Sequence, residues 1–420
     1  MKQRKSSALL AGIIGNAIET YDLSIYPFFT VYLAKAFFPD QSSFVSLLEI
    51  FGIFLFGYLA RPLGSLIFGY IGDIYGRKKA LISSSLLMMV ATGIIGILPT
   101  YQSIGYFAAL LLLIFRAIQG LSFGGEYTGS VIYLVEHASK HRRNTFGSIA
   151  AMGSNLGIFL SSITCLLITL NFSEQQIMQG LWRIPFLLSL LFSLICFGLR
   201  SFIYEPKDFD ELLSKKSIDR RSILELIKHQ KTELALIIVL TWFGVITTYL
   251  LFVYLVPYLV HTLHYQTSTA LTLNALSIGV LVSIIPLAGF IADKVGRNII
   301  IPTCIVSLAI LIIPYLYFIS TTHYRIIIFL QLAITVPAAF YFATVPVFLV
   351  ELIQVSVRCR TVSLGYNIAA AIFGGTTPLI ALSLVEKTNL PFMPGIYLII
   401  CAIITFIMLR KSKSHLTIST

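Results

Sequence analysis

Two acidic residues three apart, Glu19 and Asp22, interrupt an otherwise apolar run that begins at residue 8. On a helix they share a face with Tyr26, four residues beyond Asp22. A second apolar run carries Arg116, Gln119 and Gly120 on nearly one face, with Glu126 seven residues after Gln119 and about 15 Å along the axis from Arg116. A charge at bilayer depth costs about 2.5 to 3.5 kcal/mol on insertion scales, so each of these residues turns into the bundle and asks for a reason. A buried carboxylate that takes and releases a proton beside a fixed cation is the chemistry of proton coupling. A carboxylate hydrogen-bonded between helices, or an arginine in a packing salt bridge, is the competing reading of the same residues. Asn155, Tyr366 and Asn367 are neutral polar groups in apolar runs; they hydrogen-bond a solute or tie helices together. Tyr58, Tyr249 and Tyr254 are of the type that stacks on a quaternary ammonium, though they are drawn from 21 Tyr and 31 Phe. Arg61 reads as a snorkelling or gate-anchoring residue and Arg183 as an interface anchor.

The elements that must hold these groups follow from composition. The chain has 420 residues, 57% hydrophobic and 11% charged, with a mean hydropathy of +0.88, against about 25% charged residues in a soluble domain. A water-soluble fold is excluded. Runs long enough to span a bilayer cover 8–34, 44–71, 80–98, 104–135, 146–170 and 182–203, and after a charged stretch six more cover 234–260, 269–291, 299–319, 325–352, 362–385 and 391–409. None shows the alternation of a membrane β-strand, so they read as helices. The expected fold is an all-α membrane protein of twelve transmembrane helices, with a six-helix half at 1–203, an amphipathic cytoplasmic connector at 204–233 carrying a capping-box pattern at Ser222 and Glu225, and a second half at 234–420 ending in a short cytoplasmic tail. The basic start before the first run resembles a signal peptide, but Glu19 and Asp22 inside that run point to an uncleaved span. With the N-terminus placed inside, 24 of the 30 Lys and Arg fall on its side of the membrane and only Lys35, Arg183, Arg325 and Lys387 on the other. That bias predicts two cytoplasmic termini.

A repeat search relates the halves. Gly69-Tyr-Ile-Gly-Asp73-Ile-Tyr-Gly76-Arg77 between the second and third helices returns as Gly289-Phe-Ile-Ala-Asp293-Lys-Val-Gly296-Arg297, offset by 220 residues. Tyr133-Leu-Val-Glu136 followed by Arg142 returns as Phe348-Leu-Val-Glu351 followed by Arg358. Glycines let helix ends approach closely, and Asp73 or Asp293 is placed to meet an arginine or a helix N-terminus, so Asp73, Gly76, Arg77, Asp293, Gly296 and Arg297 read as a gate on the cytoplasmic side. Two parallel six-helix repeats place a solute near the midplane between them.

Other chemistries find no support. The five cysteines are scattered singly, implying neither disulfides nor zinc. The histidines fall in loops or at helix ends, and no phosphate-binding loop is present. The formal charge of +12 belongs to cytoplasmic loops rather than to a nucleic-acid surface. The expectation is no metal, no cofactor and no nucleic-acid partner.

These residues resemble the major facilitator superfamily, whose cytoplasmic signature matches Gly69, Asp73, Gly76, Arg77 and Lys78, and within it the metabolite:proton symporter family. The narrower resemblance rests on Gly15-Asn16 with Glu19 and Tyr21-Asp22, on Arg61-Pro62 with Gly64, and on Arg116 with Gln119-Gly120 and Gly124-Gly125-Glu126-Tyr127. Trp182-Arg183 with Pro185-Phe186, and Tyr366-Asn367 with Phe373, Gly375 and Pro378, extend it over nearly the whole chain. Thr20 departs from the aromatic residue usual after the glutamate, and the tail is too short for the coiled-coil extension of osmosensing betaine carriers. Members of the family import proline and betaine, α-ketoglutarate, citrate, other dicarboxylates or shikimate, driven by protons. In related sugar porters an aspartate of the first helix pairs with an arginine of the fourth, and by resemblance Asp22 and Arg116 take those places. The resemblance thus implies a carrier and not an enzyme, in a bacterial inner membrane, with a small organic solute, protons and the lipid bilayer as its partners and nothing demanding more than a monomer. The residues expected to couple protons are Asp22, Glu19, Arg116 and Glu126. Those expected to bind solute are Arg116, Gln119, Tyr26, Asn155, Tyr366 and Asn367. Protonating Asp22 is expected to loosen its pairing with Arg116 and let the loaded carrier turn. A zwitterion such as proline or betaine suits a site with both signs of charge. A dicarboxylate such as α-ketoglutarate, an efflux antiporter and a transport-dead sensor are the alternatives.

Overall fold

The computed structural model describes residues 2–201, 205, 223–319 and 324–416. Within them the chain forms twelve long helices, separated by turns and short helical links. The first half holds α1 (Lys2–Phe28), α2 (Val45–Ile74), α3 (Arg77–Ile97), α4 (Phe107–His137), α5 (Arg143–Asn171) and α6 (Ile184–Ser201). The second holds α7 (Lys231–Thr262), α8 (Thr267–Val295), α9 (Arg297–Ile319), α10 (Tyr324–Glu351), α11 (Val355–Thr388) and α12 (Met393–Leu416). Of the helices described, eleven are long and apolar enough to cross a membrane by composition. The exception is α1, whose apolar run is diluted by Asn16, Glu19 and Asp22. Most of the connector expected at 204–233, including Ser222, lies outside the described residues. Glu205 and the helix Ile223–His229 are within them.

Hydrophobic side chains cover the outside of the bundle as well as its inside: Phe56, Leu63, Ile67, Ile114, Leu191, Ile310, Phe329 and Ile403 are all exposed. A helix apolar all round has lipid for its solvent. Polar groups concentrate instead where helices meet. α5 runs along α1 and α8, α2 along α4 and α11, and α3 along α4 and α6. The α2/α4 crossing is close enough that a Cβ on Gly120 would collide with the Gly57 carbonyl and one on Gly64 with the Leu121 carbonyl. Small residues permit this backbone contact, on which helix pairing in lipid depends.

Three π-helical turns break the regular spacing. Two lie in α7, at Tyr249–Val253 and Tyr258–Thr262, and one in α11, at Ala370–Gly374. Such turns recur at functional sites, where they re-aim side chains. Tyr249 and Ala370 both face the cavity described next.

Candidate functional site

A cavity of about 140 Å³ lies between the halves, bounded by α1, α2, α4 and α5 on one side and α7, α10 and α11 on the other. Eight aromatic side chains stand in its wall: Phe54, Tyr58, Phe123 and Tyr127 face Tyr249, Tyr341, Phe342 and Tyr366. Hydroxyls and one amide supply the polar points, from Thr20, Ser24, Ser154, Asn155, Thr241 and Thr248. Arg61 is the one charged residue in this wall. It is 3% exposed, with its guanidinium 3.5 Å from the Tyr58 ring centroid and 4.3 Å from that of Phe123. No carboxylate pairs with it among the described residues, and its buried Nε and Nη2 find no hydrogen-bond partner. A desolvated guanidinium on aromatic faces, with free donors, has the chemistry to receive an anion.

Behind the first-half wall lies a second set of charges. Arg116 is fully buried, 4.3 Å over Tyr26 and 5.6 Å from Phe54. Its Nη1 donates to Gln119 Oε1 at 2.7 Å, Gln119 Nε2 donates to Thr92 Oγ1 at 2.6 Å, and Thr92 Oγ1 donates to Asp22 Oδ2 at 3.3 Å. Asp22 and Arg116 therefore do not pair directly, contrary to the expectation. Two neutral side chains stand between them. Glu19 accepts from Ser85 Oγ at 2.9 Å, and Glu126 accepts from Ser84 Oγ. Ser84, Ser85 and Thr92 all lie on α3, which contributes no charge of its own to this layer.

The face of the bundle bearing the repeated loops is closed by two locks built on one plan. In the first, Asp73 of α2 accepts from the Cys359 and Arg360 backbone N–H at the start of α11, and from Arg360 Nε at 3.0 Å, with Arg77 Nη1 3.4 Å away. Glu136 of α4 holds Arg358 of α11 at 3.0 Å and Arg77 at 3.6 Å. In the second, Asp293 of α8 accepts from the Asn144 and Thr145 backbone N–H at the start of α5, at 3.0 and 2.9 Å. Glu351 of α10 holds Arg143 of α5 at 3.0 Å and also pairs with Arg297. Each half's aspartate thus caps a helix of the other half, where an anion is favoured by the exposed N–H groups. Arg143, rather than the exposed Arg142, is the counterpart of Arg358. Both loops turn at a glycine with positive φ, 111° at Gly76 and 92° at Gly296. At the first loop the Glu205 carboxylate also caps α3, accepting from the Arg77 and Lys78 N–H at 2.9 and 3.0 Å.

The residues singled out from sequence divide accordingly. Asn155 and Tyr366 line the cavity, Tyr366 with its ring 5.1 Å from Tyr127. Arg116, Gln119, Tyr26 and Asn367 stand outside its lining. Gln119 has both ends of its amide engaged in the chain to Asp22, and Tyr26 Oη donates to the Ile50 carbonyl at 2.9 Å. Asn367 Nδ2 donates to the Gly124 and Ser363 carbonyls, tying α11 to α4. Of the tyrosines named as stacking candidates, Tyr58 and Tyr249 reach the cavity and hydrogen-bond each other, whereas Tyr254 lies away from it. Arg61, read as a snorkelling residue, is instead in the cavity wall. Its position just past the middle of a run that extends to Ile74 offered a signal, since its head could not reach an interface from there. Thr92 gave no signal in the sequence. Arg183 on the opposite face donates to the Leu98 carbonyl at 2.7 Å and stacks on Trp182. No group of acidic, histidine or cysteine side chains placed to hold a metal occurs among the described residues.

A family model described as Major Facilitator Superfamily matches residues 12–360. A protein of Staphylococcus aureus (strain COL) named for proline/betaine transport is 32% identical over 97% of this chain and 88% of its own length. The glycine betaine/proline/ectoine/pipecolic acid transporter OusA of Dickeya dadantii (strain 3937) is 32% identical over 96% and 82%. Among solved structures, the proton:xylose symporter XylE bound to 6-bromo-6-deoxy-D-glucose superposes with a TM-score of 0.79 at 16% identity, over 98% of this chain and 96% of that one. It shares the fold.

Proposed function

Because the chain belongs to the major facilitator superfamily and is an integral membrane solute transporter rather than an enzyme, we propose that it is a proton-coupled importer of a small zwitterion of the proline or betaine type. The observation that carries this reading is Arg61: one guanidinium without a carboxylate partner among the described residues, set in an otherwise uncharged cavity with eight aromatic side chains in its wall. A solute carboxylate would meet its free N–H donors in a charge-assisted pair. The solute's ammonium would then lie against the rings of Tyr58, Tyr127, Tyr249 and Tyr366, at a cation–π gain of about 0.5 to 2 kcal/mol. Such a cavity grips a small molecule bearing both charges by both ends. The names of the two relatives, which include proline and betaine, support the same class.

Proton coupling is assigned to the buried layer. Asp22, with Glu19 and Glu126 in support, takes the proton; Arg116 is the fixed cation that senses it; and the two locks hold the loop face shut while solute enters from the other side. The Lys and Arg excess on the loop face makes that face cytoplasmic and both termini with it, in a bacterial inner membrane. The halves are taken as 1–203 and 234–420, joined by the 204–233 connector, and rock about the cavity. One chain is the working unit, since both repeats and the cavity lie within it. A second reading, an organic dianion such as α-ketoglutarate, is favoured by the two arginines without a carboxylate partner, Arg61 in the wall and Arg116 behind it.

The test is uptake of labelled proline, glycine betaine, α-ketoglutarate and citrate into proteoliposomes under an imposed inward proton gradient, with Arg61→Gln alongside. Gradient-driven accumulation of a zwitterion, lowered at least about tenfold in Arg61→Gln by loss of a charge-assisted hydrogen bond, is the expected result. Accumulation of a dianion instead would establish the second reading. Uptake indifferent to the gradient would overturn proton coupling.

A further inference from the structure

The proton site and the solute cation do not touch, yet a continuous line of contacts joins them. Asp22 is fully buried and absent from the cavity wall. From it the line runs through Thr92 and Gln119 to Arg116, then across Phe54 to Tyr58, whose ring lies 4.7 Å from that of Phe54 and beneath Arg61. We propose that Thr92 and Gln119 are positioning residues that carry the protonation state of Asp22 to the solute site through Arg116. The inference rests on the proton-coupled reading above and names the parts that would transmit it.

The argument is one of hydrogen-bond inventory. A threonine hydroxyl has a single proton to give. With Asp22 ionised, that proton points at Oδ2, the hydroxyl oxygen accepts from Gln119, and the Gln119 carbonyl accepts from Arg116. All three bonds are oriented the same way, so Asp22 and Arg116 form an ion pair spread over two neutral groups, each polarising the next. When Asp22 takes a proton, the hydroxyl is no longer held to a charge and the orientation of the chain is released. Arg116, which has no other carboxylate partner among the described residues, then keeps its charge uncompensated against Phe54, an aromatic residue of the cavity wall. Positive potential at the solute site rises, and with it the affinity for a carboxylate. By linkage, bound solute must favour the protonated carrier to the same degree. The other groups around Asp22 are Glu19 and Tyr21 on its own helix, Cys165 of α5 next to Tyr21, and the Ser189 hydroxyl of α6. None of them leads to Arg116.

The experiment measures the dissociation constant of the purified carrier for labelled proline or glycine betaine between pH 8 and pH 6, in the intact protein and in Thr92→Val, Gln119→Leu and Thr92→Ser. In the intact protein, binding is expected to tighten about tenfold toward low pH, within the usual range of coupling between sites. Thr92→Val and Gln119→Leu are expected to bind at low pH with the response flattened to less than about twofold, and to exchange solute across proteoliposomes without accumulating it; Thr92→Ser restores both. Full pH dependence in Thr92→Val or Gln119→Leu would overturn the relay and leave proton coupling standing. An intact protein with neither a pH response nor gradient-driven uptake would overturn proton coupling itself. Loss of all binding at every pH in both variants, with Thr92→Ser no better, would mark the two side chains as structural and also overturn the relay.

Discussion

The two locks on the loop face share a plan and differ in environment. In the α2/α4/α11 lock, Asp73 and Glu136 are wholly buried, Arg77 and Arg360 are 2% exposed and Arg358 is 10% exposed. In the α5/α8/α10 lock, Glu351, Arg143 and Arg297 are 21%, 29% and 26% exposed. The sequence step that separates them is small: Arg360 stands where the second lock has Thr145. Duplication therefore copied the geometry of the contacts without copying their energies. Breaking a buried ion pair leaves a desolvated charge behind and costs about 3 to 5 kcal/mol, whereas a pair partly open to solvent contributes less. On the proposed reading of the loops as a gate, the first lock is the strong side and the second the side that yields.

The largest effect should come from Asp73→Asn, which removes the carboxylate that Arg360 pairs with and that Arg77 shares with Glu136. A loss of about 3 kcal/mol or more in the closed state is expected. It can be read as a rise of on the order of a hundredfold in alkylation of Cys359, which is buried in the lock, in protein whose other four cysteines are replaced. An alkylation rate unchanged from the parent would break the comparison. Glu136→Gln removes the carboxylate that serves Arg77 and Arg358 but keeps Asp73, so about 2 to 3 kcal/mol is expected by the same assay. The turn glycines give a paired test. Alanine at either position meets a backbone it rarely adopts, at about 1 to 3 kcal/mol, but at Gly76 the new methyl also collides with the Glu205 carboxylate, while at Gly296 it meets nothing. Gly76→Ala should therefore lower thermal stability clearly more than Gly296→Ala, and equal effects would show that Glu205 gives way freely. The smallest effect is expected from Glu351→Gln, about 0.5 to 1 kcal/mol, shrinking further in 1 M salt as exposed charges are screened. A loss as large as that of Asp73→Asn would erase the distinction between strong and yielding sides.

Much of this architecture was legible in the sequence because it is written in quantities a sequence displays. Spanning-length apolar runs gave the helices, a repeat offset by 220 residues gave both loops, and a second echo offset by 215 residues marked Glu136 and Glu351. The cavity was less legible. Eight of its lining residues are tyrosines and phenylalanines, drawn from 52 such residues by helix rotation and by the π-turns of α7 and α11, which periodicity does not reveal. Arg61 was misplaced because an arginine in an apolar run reads first as an interface residue. The link between Asp22 and Arg116 was missed in its detail because a lone threonine in an apolar helix announces nothing, and only the packing of α3 between α1 and α4 gives Thr92 its place.

The glycine-lined crossing of α2 and α4 joins the two helices mechanically. With Gly57 against Gly120 and Gly64 against Leu121, the two backbones touch and leave no side-chain layer between them to slide or repack. Arg61 on one helix and Arg116 on the other are therefore mounted on a single rigid blade. Any turn of α2 carries α4 with it, so probes on the outer faces of the two helices should keep one separation in every state of the protein.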